Sequence, residues 1–402
     1  MTPLIAAAML GGSGASRAAD CSVTSVGFIP LSDLGTELYL NQFEGGLYPG
    51  GSNEPPPTHA LEGRTRATSI VPLDRAGDPD EGGKIVLLSI GMSNAALEFC
   101  SSHGNPPCNP WTFVGQATLD PRVNEETLVF ANGARGGEPA DAWDSPDEAN
   151  YVRVKTAVLR PLGLTEEQVQ IVWIKLADPG PTVSLPNASA DAYVLKKNLG
   201  NVVRAVRSRY ANIRIAFISN RIYAGYAGYP VPQYLTSPEP YAYETGFAVK
   251  WLIEAQINQM SGGGIDPSAD DLDYTTVAPW LAWGPDLWSD GLIPRSDGLR
   301  YLCSDISSDG THPKLGAQQK VGKLLREFML SSPFATPWFR DCELGDMNVD
   351  RTVDGLDIAL FVQTIIEPLS APAPLHCAAD CSDDGIVSFE DVQAFAQLLL
   401  EP

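Results

Sequence analysis

Histidine is scarce in this chain of 402 residues, which has only four. A zinc cluster needs more imidazoles or paired thiolates, and none of the seven cysteines forms a Cys-x-x-Cys pair. Basic residues are few as well: 27 Lys+Arg stand against 49 Asp+Glu, for a net charge of −22. Nothing in such a chain would neutralise a phosphate backbone, which excludes nucleic acid as a partner. After the N-terminus no apolar run is long enough to span a bilayer. What remains is a chain with 44% hydrophobic residues. Its length calls for two or more domains, with ample core for one large one.

The organising stretch is Lys84–Phe99, KIVLLSIGMSNAALEF. Ile85 to Ile90 is an apolar, branched run of the length of a buried parallel strand. Gly91-Met92-Ser93-Asn94 breaks it, and Ala95–Phe99 reads as a helix start. A strand, a tight turn and a helix N-terminus place Ser93 at the carboxyl edge of a sheet, where open α/β folds hold their ligands. Backbone N–H groups and a positive dipole end lie close by.

A second stretch, Ser308–Gly322, carries Asp309 and His312 on a loop before a helix. A serine hydroxyl needs a base to take its proton, and the base needs a third group to hold its ring. Asp-x-x-His supplies both from one turn. The order Ser, Asp, His, each at the end of an element, points to nucleophilic catalysis. Ser93 would attack, His312 would act as base and acid, and Asp309 would orient it.

These residues resemble the SGNH (GDSL-like) hydrolases over roughly residues 80–330. Gly91-Met92-Ser93-Asn94 stands where that family has Gly-Asp-Ser-hydrophobic, and Asp309-Gly-Thr-His312-Pro looks like its last block. The resemblance implies a flavodoxin-like three-layer α/β/α sheet domain. It also implies ester hydrolysis, often of acyl groups on carbohydrates or lipids, with no cofactor for catalysis.

Thr127 to Ala131 reads as a second buried strand, ending in the Gly-rich turn Asn132-Gly-Ala-Arg-Gly136-Gly137. Glycine lets backbone N–H groups approach a developing oxyanion. The turn is neither a P-loop nor Gly-x-Gly-x-x-Gly, which speaks against nucleotide binding. It resembles the family's second block. Gly137 is the best match to the oxyanion glycine and Gly136 the near rival, with Ser93 as the other donor. Gln168–Asp178 is a third strand, and Asn212–Ser219 a fourth after a helix over Ala192–Tyr210. The family's third block would place an Asn near Leu176-Ala177-Asp178, and this chain has none there. Asn132 or Lys175 substitutes, or the hole relies on backbone alone, or the fold is kept without efficient catalysis.

Residues 21–80 read as loop or an extended cover around the domain edge. Asn220–Trp288 is crowded with aromatics, including Tyr223, Tyr226, Tyr229, Tyr234, Tyr243, Trp280, Trp283 and Trp288. Flat faces with a polar edge suit sugar rings, so Tyr223, Tyr226, Tyr243 and Trp283 are candidate substrate contacts in an insertion that walls the cleft. Phe247 to Ile257 within it is a helix, with Glu244 near its start. Asp286, Asp290 and Asp297 offer the carboxylates of a glycoside hydrolase as an alternative.

Residues 1–20 look like a signal peptide without its basic region, with Ser16-Arg-Ala18 as a cleavage-like site. Cys100 and Cys108 enclose a small loop suited to a disulfide. Two of Cys342, Cys377 and Cys381 are expected to bridge, and the odd count leaves one thiol over. Both features fit an oxidising compartment, outside the cell or at its surface.

Pro333–Arg340 reads as a linker between a domain over 21–335 and a second over 341–402. The latter holds 13 Asp+Glu and one Arg. It contains two repeats. In the first, Asp346, Asn348, Asp350, Asp354 and Asp357 fall at loop positions 1, 3, 5, 9 and 12. In the second, Asp380, Ser382, Asp384, Ser388 and Asp391 take the same offsets. Thr352 and Ile386 stand at position 7, which gives a backbone carbonyl. Such alternating oxygens suit a seven-coordinate hard cation, so two calcium sites are expected. Val353 and Val387 would pair the loops. Ile358, Phe361 and Ile365 would be buried in one following helix, and Val392, Phe395 and Leu399 in the other. The repeats resemble type I dockerin modules, small all-α domains of paired F-hand loops. Arg351 departs from the Gly usual at position 6, while Gly385 keeps it. The resemblance implies docking to a cohesin or a surface, read in dockerins by the two residues before the last ligand, here Gly355-Leu356 and Phe389-Glu390. The joint expectation is a secreted serine esterase acting on acyl groups of carbohydrate. The alternatives are a non-catalytic carbohydrate-binding or scaffold protein and a glycoside hydrolase.

Overall fold

The computed structural model describes residues 19–101, 106–227, 238–350, 352–368, 371 and 373–400. Nearly all of the expected leader, with Tyr229, Tyr234 and Arg351, lies outside the described residues. Five strands form one sheet: β1 (Ile85–Gly91), β2 (Leu128–Asn132), β3 (Val169–Lys175), β4 (Ile215–Ile218) and β5 (Trp280–Trp283). Their spatial order is β2-β1-β3-β4-β5, and every pairing is parallel. This is the flavodoxin-like order, whose switch point lies between β1 and β3. Residues of β1 and β3 are buried throughout, because a parallel sheet is covered on both faces.

The covering helices are α1 (Pro57–Thr68), α2 (Ser93–Phe99), α3 (Asp191–Arg209), α4 (Tyr241–Met260) and α5 (Leu315–Ser331). Helices α3 and α4 pack on each other, and α2 packs on α5. Right-handed crossovers put these pairs on opposite faces of the sheet. The stripe Leu195, Leu199, Val202, Val203 and Val206 of α3 is fully buried. Each such side chain contributes about 1.5–3 kcal/mol by leaving water. Among the described residues no helix is long and apolar enough to cross a membrane.

The structure revises three readings of the body. The segment 21–80 is more than a cover, since it contains α1, which begins with Pro57 at its first position. His59 of α1 reaches the sheet edge, its Nε2 lying 2.8 Å from the Leu281 carbonyl of β5. The aromatic stretch Asn220–Trp288 is no added wall, because it supplies α4 and β5 themselves. The expected linker is part of the body: Thr336–Phe339 forms a short helix that buries Trp338 and Phe339 in the main core.

The C-terminal module has helices α6 (Ile358–Ile366) and α7 (Asp391–Leu398), with a shorter helix over Ala373–Ala379. Phe361 and Phe395 stack at its centre, with ring centroids 3.8 Å apart. Ile365 joins them, but Ile358 and Val392, expected inside, are each 45% exposed. In α6 only Phe361, Thr364 and Ile365 are buried, and in α7 only Asp391 and Phe395. Val353 and Val387 pack against that core, and among the described residues no backbone bridge joins them. Disulfides link Cys100 to Cys108, Cys342 to Cys377, and Cys21 to Cys303 across 282 residues. Cys381 is the buried free thiol, pushed up to about 12 by burial and the nearby Asp391 and Asp380 charges.

Candidate functional site

The site is built on the carboxyl ends of β1 and β2. Strand β1 stops at Gly91, where a Cβ would meet the Ala95 side chain at 2.4 Å and the Lys175 carbonyl at 2.6 Å. That close approach requires glycine and turns the chain sharply into α2, with Ser93 as its first residue. The glycine-rich turn after β2 is fastened alongside, by Arg135 N–H to the Gly91 carbonyl (2.9 Å).

The chain from Ser307 to Pro313 forms a second turn, closed by a Ser307 N–H bond to the His312 carbonyl at 2.8 Å. Gly310 has φ +80°, and a Cβ there would strike the backbone of Ala227. This turn brings the distant residues together. Ser93 Oγ lies 2.7 Å from His312 Nε2, and His312 Nδ1 lies 2.7 Å from Asp309 Oδ2. Asn94 Nδ2 donates to the Thr311 carbonyl at 3.0 Å, tying the serine's helix to the histidine's turn.

Asp309 Oδ1 accepts from Ser307 Oγ and from the N–H groups of Thr311 and His312. Burial alone would raise its carboxyl. These bonds and the His312 ring outweigh that and hold it well below its ordinary value. An ionised carboxylate only accepts, so the ring proton sits on Nδ1 and the Nε2 lone pair faces the serine hydroxyl. The His312 and Asp309 side chains are 40% and 35% exposed, which leaves the triad open to solvent.

The expected oxyanion donors divide. A Cβ added at Gly136 would lie 3.5 Å from the Ser93 Cβ, which places Gly136 beside the nucleophile, while Gly137 has φ +80° and a Cβ there would meet nothing within 4 Å. Asn132 is not a donor to the site. Its Oδ1 accepts from Ser89 Oγ at 2.8 Å, and its Nδ2 holds the Ala96 and Ser101 carbonyls. It is buried where β2 ends, bracing β1 against α2. Lys175 is unavailable too, since its Nζ is paired with Glu98. With both side chains committed, the donors left to the site are backbone N–H groups near Ser93 and in the Gly136-Gly137 turn.

The candidate substrate aromatics are core. Tyr223, Tyr226, Tyr243 and Trp283 are at most 2% exposed. The three hydroxyls donate to the carbonyls of Val23, Tyr301 and Ile29. The glycosidase carboxylates are also committed. Asp286 accepts from Ser32 and Asn220, Asp290 from Ser25 and the N–H groups of Val26 and Gly27, and Asp297 pairs with Arg295. They pin the N-terminal segment and a loop. The sequence reading missed the Asn94 tie and the Glu98–Lys175 pair. A charged residue inside the apolar run AALEF was the available signal for the latter.

The two acidic loops of the module share one geometry. Asp357 accepts from the N–H groups of Met347, Asn348 and Asp354, and Asp391 from those of Ser382 and Ser388. Asp346 accepts from Asp350 N–H, and Asp380 from Asp384 and Gly385 N–H. Each loop has a residue of positive φ at its fourth position, Val349 and Asp383. Asp357, Asp380 and Asp391 are at most 3% exposed, and among the described residues no salt bridge involves them. Burial, with the Asp391 and Asp383 charges, raises the Asp380 carboxyl above its ordinary value. Buried carboxylates without a cation, beside amide, hydroxyl and carbonyl oxygens, are a donor set of the kind a hard cation takes. Among the described residues no three His, Cys, Asp or Glu side chains already converge as a metal cage.

No protein-family profile and no curated protein matches this chain. Several solved structures are similar to this chain, three of them as follows. TesA is 16% identical, with 62% of this chain and 99% of that chain covered and a TM-score of 0.31. Est24, a carbohydrate acetylesterase from Sinorhizobium meliloti, is 11% identical, with 61% and 97% covered and a TM-score of 0.33. A carbohydrate esterase family 2 enzyme with a carbohydrate binding domain, from Corynascus thermopiles (Myceliophthora fergusii), is 12% identical, with 61% and 65% covered and a TM-score of 0.32.

Proposed function

We propose that the body is a serine ester hydrolase of the SGNH type. The observation that carries this is the unbroken relay from Ser93 Oγ through His312 to Asp309, with both contacts at 2.7 Å. Ser93 attacks the acyl carbon while His312 Nε2 takes its proton. Asp309 holds the ring and stabilises the imidazolium that forms. N–H groups beside Ser93 and Gly136 stabilise the tetrahedral oxyanion. His312 then protonates the leaving alcohol, and water repeats the cycle on the acyl-enzyme. We propose an acyl group on carbohydrate as the substrate, and export as the route to an oxidising compartment. The three disulfides support export.

The same proposal gives the module two calcium ions. Asp346, Asn348, Asp350, the Thr352 carbonyl, Asp354 and Asp357 would hold one. Asp380, Ser382, Asp384, the Ile386 carbonyl, Ser388 and Asp391 would hold the other. Calcium there supplies charge neutralisation and a fixed loop, and takes no part in ester cleavage. The dockerin-like module then presents Leu356 and Phe389, 70% and 77% exposed, to a cohesin or a surface. Turnover of p-nitrophenyl acetate, and release of acetate from acetylated polysaccharide, should disappear in Ser93→Ala. No turnover by the folded wild-type protein would leave a non-catalytic scaffold as the reading.

A further inference from the structure

Behind the triad lies a pair of charges that its chemistry does not use. Lys175 Nζ donates to both oxygens of Glu98, at 2.7 and 2.5 Å. The two side chains are 1% and 0% exposed. Lys175 is the last residue of β3, and it pairs in register with Gly91, the last residue of β1. Its carbonyl packs against the Gly91 α-carbon, while its ammonium reaches Glu98, beyond Ser93 on α2. A single residue therefore grips the chain on both sides of the nucleophile turn.

Helix α2 is also held by packing, with Phe99 against the rings of Phe113, Phe130 and Trp173, but its own ends are weak. It has seven residues, and Met92 at its N-cap offers no side-chain cap. A helix that short has no stability of its own. Asn94 ties it to the Thr311 carbonyl, Asn132 holds the Ala96 carbonyl, and the Cys100–Cys108 disulfide closes its end. A buried ion pair is a poor way to gain stability alone, because apolar residues of equal volume do as well or better. What it does supply is one satisfied geometry. Burial pushes Glu98 up and Lys175 down, their mutual attraction opposes both, and the charge of buried Arg221 lowers both.

We infer that Lys175, acting through Glu98, is a positioning residue that sets the height and tilt of α2 so that Ser93 Oγ meets His312 Nε2. This rests on the ester-hydrolase reading of the triad. A misplacement of about 1 Å costs on the order of 100-fold in rate.

Two variants of the full chain test it: Lys175→Met, and Glu98→Leu combined with Lys175→Met. The single variant strands a buried carboxylate, so its Tm falls. It should lose on the order of 100-fold in kcat for p-nitrophenyl acetate, with KM within about twofold. The double variant strands no charge, so its Tm recovers while kcat stays low. Recovery of kcat together with Tm would show the pair to be structural only. Where the single variant does not fold, the double variant decides alone. A crystal structure of the double variant gives a measure independent of turnover. The Ser93 Oγ to His312 Nε2 distance should open beyond hydrogen-bond reach, and an unchanged distance overturns the inference. Absence of ester hydrolysis in the wild-type protein would instead sink the functional reading, and the distance would still judge the role of Lys175.

Discussion

In the body, Tyr223, Tyr226, Tyr243 and Trp288 are at most 1% exposed; in the module, Leu356, Phe389, Ile386 and Ile366 stand between 65% and 77% exposed. The module supplies nine of the twenty-one exposed large hydrophobics among the described residues, although it is a small part of the chain. The body buries a large apolar core, and Ser93 and His312 meet half-buried at its edge. The module keeps a core as small as a stacked Phe361 and Phe395 and leaves apolar residues outside. On the proposed function, the difference separates two kinds of work. Chemistry needs a rigid scaffold behind a few fixed polar groups, while docking needs apolar area that the fold itself does not consume.

The sharpest break of this comparison is Ser93→Ala. Ester hydrolysis by the body should fall by on the order of 10³-fold or more. Calorimetric titration with calcium should still find both module sites. Loss of calcium binding in that variant would mean the two regions are not independent.

Chelation is the converse. Removing calcium should lower the thermal transition of the module and leave that of the body in place. A ligand at about 100 times its Kd contributes about 2.7 kcal/mol per site. A single transition unmoved by chelator would refute the calcium reading.

Acidity should act on the body through Glu239 and Glu244. Burial is the main cause that raises each carboxyl to about 7. The folded chain then keeps protons that the unfolded chain releases above the ordinary carboxylate range. The contribution is full below that range and is lost as pH rises through about 7. The Tm of the body should therefore decline between about pH 4.5 and 7 and level off above it, and Glu239→Gln should flatten the decline. A wild-type Tm that climbs over this interval would contradict the assignment.

The smallest expected effect is on the outer face of the module. Leu356→Ser and Phe389→Ser should change stability by about 0.5 kcal/mol or less, yet weaken capture by a cohesin or surface. A large drop in stability would show these residues to be core.

Much of the frame was legible because it is local. Ile85–Ile90, Thr127–Ala131 and Gln168–Asp178 announce buried strands by largely apolar runs, and Ser93, Asp309 and His312 stand at element ends in an order that supplies nucleophile, orienting acid and base. The acidic repeats are legible for a related reason, since alternating oxygens leave a fixed spacing. What stayed hidden depends on distant partners. Trp280–Trp283 has the length and burial of a strand, but its indoles gave it the look of a sugar platform. Tyr223 and Tyr243 carry hydroxyls that suit either a ligand or a backbone carbonyl, and only the fold shows Val23 and Ile29 waiting for them. Asn132 is adjacent to the right turn yet is taken up by Ser89, Ala96 and Ser101. The Glu98–Lys175 pair joins residues 77 apart, and no local pattern encodes that meeting.

The Cys21–Cys303 bond ties the beginning of the described chain to a point six residues before Asp309. A ribosome delivers these two thiols at opposite ends of the body's synthesis. The native bond can close only after nearly the whole body has emerged. The turn that carries Asp309 and His312 is thus fastened to the chain's beginning late, and a reducing cytosol leaves that seam unstitched.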